Sequence, residues 1–330
     1  MKKSIFLSFI LCLCLVACIP QQAMAQKQSR MEKLLRYLND NDADKWQKNR
    51  EKLDDETKAY YAEDLSLMDV LNDLWNGQSE QAATLYFGCY EKAAQNNFPG
   101  ICEGEKIPLS QIRDKADQSI INLLEASKDK IPFSRALLDS IHATEYPVDS
   151  AMLQRLQNIR EVALLEGMLK APTPIIYQTY VKEYPNGKFI AQVNASENVR
   201  LYQLVKTAPT PANFKAFFED PEMQKYYQDR GPRPYLAEVR TLYDDFLFQR
   251  IDSLKKEGNA PAIRQIIDDY KNTPYLATGA RTHLNDLEYL SEKADFELLK
   301  PAIVNSESLG LLQEFLKTHK YKEFRDQANA

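Results

Sequence analysis

The chain has 330 residues, 44% of them hydrophobic, enough for a sizeable core or an extended array. Only 10 residues are glycine, which argues against a turn-rich β fold and against a glycine-built phosphate cradle. Removing residues 1–25 takes two lysines away and leaves 40 basic against 47 acidic residues, a charge of −7; such a chain without a basic cluster makes a poor nucleic-acid binder.

In chain order, Lys2 and Lys3 precede an apolar run from Ile5 to Ile19 that is interrupted only by Ser8. Pro20 stops the run, and Ala23-Met24-Ala25 offers a small-x-small cleavage site before Gln26. This pattern predicts a signal peptide over residues 1–25. Leu15-Val16-Ala17-Cys18 also resembles a bacterial lipobox. On that alternative residues 1–17 are a lipoprotein signal and Cys18 carries lipid as the mature N-terminus. Both readings export the protein to the periplasm or the outer membrane, and the only membrane attachment expected is that N-terminal lipid. No later apolar run reaches the roughly 18 residues a span needs.

Residues 26–30 read as a polar leader, Met31 to Leu38 as a short helix and Asn39-Asp40-Asn41-Asp42 as a turn or N-cap cluster. A helix through Trp46 follows, then one from Asp55 to Trp75 with Tyr61, Leu65, Met68, Leu71 and Trp75 on one stripe. Gln78 to Gln95 and Ser110 to Ser127 are further amphipathic helices, separated by a turn-rich loop over residues 96–108. Cys89 and Cys102 flank that loop, and in an oxidising compartment they are expected to form a disulfide; two buried thiols are the alternative. Closing so short a loop stabilises by about 3 kcal/mol on the entropic model. Pro132 starts a helix to Ala143, Tyr146-Pro147 breaks the chain, and Asp149 caps a helix to Leu169. No segment alternates with a period of two, so the class is all-α, with an irregular helical N-terminal domain over residues 26–170.

From residue 171 the pattern repeats. Ala171-Pro172-Thr173-Pro174 recurs as Ala208-Pro209-Thr210-Pro211, with a degenerate copy at Asn259-Ala260-Pro261. Each precedes a short aromatic or apolar helix: Tyr177, Tyr180 and Tyr184; Phe214, Phe217 and Phe218; Ile263, Ile266, Ile267 and Tyr270. Leu312, Phe315, Leu316 and His319 make a fourth version. Tyr184-Pro185-Asn186-Gly187 stops the first of these helices. Second helices open at Phe189, Tyr235, Tyr275 and Phe324, separated by 46, 40 and 49 residues. A two-helix unit repeating at that period predicts an α-solenoid over residues 171–330.

The phrase YQTYVKEYPNGKFIAQVNA is similar to the tetratricopeptide-like repeat of bacterial envelope proteins, including the BamD-like family of outer-membrane lipoproteins. The match is good over residues 171–195 and weaker in three further copies. The resemblance implies a superhelical fold and a binding role; it carries over neither a partner nor a set of binding residues. The longer, uneven period and the absent W-x-x-L-G-x-x-Y signature depart from the family pattern, as does Asp220-Pro221 in place of Tyr184-Pro185, with an insertion to Pro234.

No catalytic, metal or cofactor signature is present, so an enzyme is not expected. His142, His283 and His319 are scattered, and the adjacent pairs Asp54-Asp55, Asp244-Asp245 and Asp268-Asp269 read as caps and solvated faces. Tyr177, Tyr180, Tyr184, Phe214 and Phe217 are the candidate partner-binding residues, with interhelix packing as the alternative role. The other candidate contact is an apolar edge at the end of an array that stops half a unit short. Asp-Ser steps at Ser140, Ser150 and Ser253 resemble O-glycosylation sequons and equally suit helix starts. The expected function is a non-catalytic exported scaffold that binds an envelope protein. The alternative is a glycan- or peptide-capturing surface protein of a nutrient-uptake system, against which Trp75 on a helical stripe already argues.

Overall fold

The computed structural model describes residues 24–77, 79–95, 109–257, 259–272, 280–303 and 309–329. Among them every regular element is helical and no strand occurs. No helix among these residues is long and apolar enough to cross a membrane. The chain divides into two compact units, residues 1–166 and 167–330.

The first unit runs through α1 (residues 24–39), α2 (Ala43–Glu51), α3 (Asp55–Tyr60), α4 (Ala62–Asn72), a π-helical turn (Asp73–Gly77), α5 (Glu80–Gln95), α6 (Leu109–Ala126), α7 (Lys130–Ala143) and most of α8 (Ser150–Lys170). Local chemistry sets the starts. Asn41 takes a left-handed φ of 55°, which asparagine tolerates, and Asp42 accepts the Lys45 amide at 3.1 Å to cap α2. Asp54 caps α3 through the Thr57 amide at 2.7 Å.

Two expectations change here. Residues 26–30 are helical rather than a leader, because Lys27 and Arg30 find Glu56 at 2.5 Å and Asp54 at 2.6 Å. The single helix expected from Asp55 to Trp75 is three pieces: Tyr61 leaves helical geometry with its ring buried, and the π-turn resets the phase. Leu74 is then buried, while Trp75 is half-buried with the Lys115 ammonium 3.9 Å from its ring. One apolar cluster from Met31 to Leu156 joins these helices.

The second unit contains α9 (Pro174–Glu183), α10 (Ile190–Thr207), α11 (Pro211–Glu219), α12 (Pro221–Tyr227), α13 (Leu236–Lys256), α14 (Ala260–Asn272), α15 (Ala280–Ile303), α16 (Leu309–Thr318) and α17 (Lys322–Asn329). The recurring Ala-Pro-Thr-Pro phrase acts identically twice. Thr173 and Thr210 each accept the amide three residues on, at 3.3 Å, with proline at the first helical position. Asn259 does the same for α14 at 3.2 Å.

Packing in this unit is local. α10 contacts α9, α11, α12 and α13; α13 contacts α10, α14 and α15; α15 contacts α13, α14, α16 and α17. Asp220-Pro221, read from the sequence as the counterpart of a stop, instead starts α12, with Asp220 accepting the Met223 amide at 2.8 Å. Tyr235 at the start of α13 has a left-handed φ of 64°. Its ring stacks on Tyr202 at 4.3 Å and 11° between planes, an aromatic contact that offsets the backbone cost. Phe324 lies two residues inside α17 rather than at its opening, and packs with Phe296, Leu299 and Phe315. Tyr275 lies outside the described residues.

Candidate functional site

Among the clefts between the described helices of the second unit, two are built from corresponding positions. The first cleft, about 400 Å³, has one wall of Pro174, Tyr177 and Gln178 on α9 and another of Lys215, Ala216 and Glu219 on α11. Its floor is Glu197, Arg200 and Leu201 of α10. The second cleft, about 370 Å³, has Pro211, Phe214 and Lys215 of α11 on one side and Ala262, Gln265, Ile266 and Asp269 of α14 on the other. Its floor includes Tyr243, Phe246 and Leu247 of α13. The near-wall residues of the two clefts are separated by 37 positions and the floor residues by 46, position for position.

Their chemistry differs. In the first, Arg200 grips Glu197 with two nitrogens, at 2.6 and 2.7 Å, and Glu197 is 1% exposed. In the second, the corresponding floor residues are Tyr243 and Phe246, whose rings lie 5.0 and 5.4 Å from Phe214.

Beneath the first cleft runs a buried polar network. The Tyr177 hydroxyl donates to Asn194 at 2.9 Å, and the Tyr180 hydroxyl accepts the Phe189 amide at 3.2 Å. Arg233, 9% exposed, donates to Asn198 at 2.6 Å and to the Phe217 carbonyl, and its guanidinium sits 3.9 Å from the Phe217 ring. Burial holds its pKa down at about 10 against the pull of Asp220 and other neighbours.

The candidate partner-binding residues therefore fall into the core. Tyr177, Tyr180, Phe214 and Phe217 are all buried, and only Tyr184 is half-exposed. Tyr177 and Phe214 face the clefts from their walls, while Tyr180 and Phe217 are fully enclosed at helix contacts. Substituting Tyr177 and Tyr180 together would remove core, so that pair cannot probe a surface. Ile266 was singled out by the repeat pattern, as part of the apolar helix of its unit; Lys215 and Arg250 at the cleft mouths were not, because that pattern marks inward positions. Exposed polar residues one step off each aromatic stripe are the signal that points to them.

Elsewhere, Ser140 is half-buried on α7, Ser150 is exposed at the first position of α8, and Ser253 is exposed on α13. Cys89 is half-buried, its sulfur 3.5 Å from the Ser66 hydroxyl; Cys102 and Cys18 lie outside the described residues. Trp46 is buried and Trp75 is covered by Lys115, so neither offers a sugar platform. His142 is exposed on α7, and His319 lies 3.0 Å from Asp295, which also holds Arg264 at 3.1 Å.

A further polar cluster in the first unit was not anticipated. Tyr146 donates to Asp117 at 2.5 Å and lies 3.3 Å from the Tyr86 hydroxyl. Burial raises the Asp117 pKa to about 6 despite the Tyr146 hydrogen bond and Arg113. Asp117 lines a cleft of about 480 Å³ with Arg113, Asp114, Asp149 and Arg155. Arg113 is committed to Asp114 and Arg155 to Glu125, so the cluster mainly ties helices together.

Comparison of the chain with protein-family models, curated proteins and solved structures gives no match.

Proposed function

We propose that residues 171–330 form a tetratricopeptide-like α-solenoid and that the protein is a non-catalytic exported scaffold, binding an envelope protein through the clefts between successive first helices. The observation that carries this reading is the recurrence of one cleft at corresponding positions of α9–α11 and α11–α14. A repeat that stacks unit on unit generates such a series of grooves, and grooves of that kind take linear or helical segments. A photo-crosslinking residue at the exposed Lys215, on the rim shared by both clefts, tests it in whole cells. Capture of a defined envelope protein is the expected result. Adducts no stronger than those from a residue placed at Ser150 would remove the reading.

Export and the Cys89–Cys102 disulfide belong to the same proposal. Alkylation of unreduced protein recovered from the envelope fraction should modify neither cysteine, and reduction should open both. Two alkylated thiols without reduction would eliminate the bond. The processing routes separate on Cys18→Ala: a lipidated protein leaves the membrane fraction when that cysteine is lost, and a signal-peptidase product is unaffected.

A further inference from the structure

We infer that a further cleft of the second unit, between the turn that follows α9 and the insertion carrying α12, binds a neutral oligosaccharide. Its volume is about 770 Å³, within the roughly 300–1,000 Å³ of small-ligand sites. Glu222 also lines the first cleft, but Asn186, Asn194, Gln228 and Asp229 do not, so this site goes beyond the scaffold reading and does not rest on it.

One buried group faces the cleft with an unmet hydrogen bond. Asn194 of α10 is 3% exposed. Its side-chain oxygen accepts the Tyr177 hydroxyl, and its amide nitrogen has no partner among the described residues. Asn194 lines the cleft, so an acceptor held there completes it. On the α12 side, polar groups outnumber what the fold uses. α12 buries only Met223. Lys225, Gln228 and Asp229 are exposed at the cleft, as is Asn186 from the turn, and none of these four side chains has a partner among the described residues. α12 lies in the stretch to Pro234 that interrupts the repeat pattern, and insertions into an array gather on one face, often the binding face.

Charge sets the class of ligand. Glu222 and Asp229 offset Lys225 and Arg230, and the signs alternate along the chain. The cleft therefore has no net charge to attract an ion and no separated poles for a zwitterion. Arg230 is held in place, donating to the Tyr226 carbonyl at 2.9 Å with its guanidinium 4.3 Å from the Tyr226 ring. What remains is a mixture of amides that donate and accept, carboxylates that accept and an ammonium that donates. Hydroxyl groups do both. A sugar carries them around a ring whose C–H faces suit Tyr226 and Ile190, each half-buried at the cleft. An extended peptide would need a sheet edge, and none occurs among the described residues.

The test offers the mature full-length chain an array of neutral and charged oligosaccharides, with hits titrated by calorimetry. A neutral oligosaccharide is expected to bind, with an affinity that raised salt leaves unchanged. Asp229→Ala and Gln228→Ala, both at exposed positions, should each weaken it about tenfold or more. Asn194→Asp keeps the oxygen that Tyr177 uses and removes the donor, and should weaken it as much; where that variant fails to fold, the two surface variants still decide. Retention on beads of the matching polysaccharide as well as on the free oligomer would mean that a chain interior is recognised, and binding of the free oligomer alone that a chain end is; both support the proposal. No binding, binding confined to charged sugars and lost in salt, or binding indifferent to Asp229→Ala and Gln228→Ala overturns it. So does a peptide that binds at this cleft where no sugar does. Crosslinking from Lys215 that persists in Asp229→Ala separates the two ligands: with it, loss of sugar binding leaves the scaffold reading intact, and sugar binding without any crosslinked partner upholds this site alone.

Discussion

At pH 8 the Asp64→Asn protein should be more stable than the parent by up to about 4 kcal/mol, and at pH 4 the advantage should vanish. Asp64 lies on α4 with 1% of its surface exposed, and neither carboxylate oxygen has a hydrogen-bond partner among the described residues. Burial, with a smaller push from Glu63, raises its pKa to about 7. The unfolded chain releases this proton near pH 4, so between about pH 4 and 7 the folded state holds a proton that the unfolded state has lost. Stability from this group is complete at low pH and is lost as pH rises through the folded pKa. An amide mimics the protonated carboxyl and removes that dependence. Asp117, held at about 6, adds a slope of the same sign in both proteins, so the difference between them isolates Asp64. Urea unfolding at pH 4, 6 and 8 reads it. A difference that does not change with pH would mean that Asp64 ionises normally.

The sequence carried a sign of the buried Asp64 that the apolar stripe alone, read for its hydrophobic members, passes over. Asp64 sits three residues after Tyr61 and four before Met68, on the same apolar stripe, and a carboxylate at such a position is the sign of a buried acid. Asp117 lies one step from Ala116 in the stripe of α6, and its partner Tyr146 stood in a segment read only as a chain break. Helix identity, the threonine caps and the inward aromatics were legible because each depends on neighbours within one turn. Arg233 was not. It falls in the stretch between Asp220-Pro221 and α13, where no period exists, and its partners Asn198 and Phe217 lie 35 and 16 positions away. The cleft mouths were missed for a related reason: hydrophobic periodicity reports what is buried, whereas a binding surface is made from the residues left over.

On the proposed repeat reading, the corresponding clefts carry two chemistries on one plan. Glu197 of α10 and Tyr243 of α13 lie 46 positions apart on the floors of the two clefts, as do Arg200 and Phe246. The first pair spends its side chains on each other; the second leaves rings facing the groove. The threonine caps and inward aromatics recur while the floor residues differ, so a recurring helix start says little about what the cleft between helices would bind.

Arg233→Met should cost about 2–4 kcal/mol, and Arg233→Lys nearly as much. The guanidinium serves Asn198 on α10 and the Phe217 carbonyl on α11 at once while stacking against the Phe217 ring. A lysine ammonium is a point charge without that fork, and methionine leaves both acceptors buried without a donor. Methionine does remove the buried charge whose desolvation depresses the Arg233 pKa, and the two orphaned acceptors set the net cost; lysine keeps the buried charge and loses the fork. The effect has a direction along the chain. Arg233 enters from the segment before α13 and ties α10 and α11 to it, whereas α13–α17 hold two apolar clusters of their own around Ile251 and Phe296. In an array stabilised by nearest-neighbour contacts, weakening one junction lowers the cooperativity across it. Amide hydrogen exchange should therefore show α9–α11 opening more readily in Arg233→Met, with α15–α17 protected as in the parent. Uniform loss of protection over residues 171–329 would instead mean that this half unfolds as a single cooperative body, and stacking of independent repeats would no longer describe it.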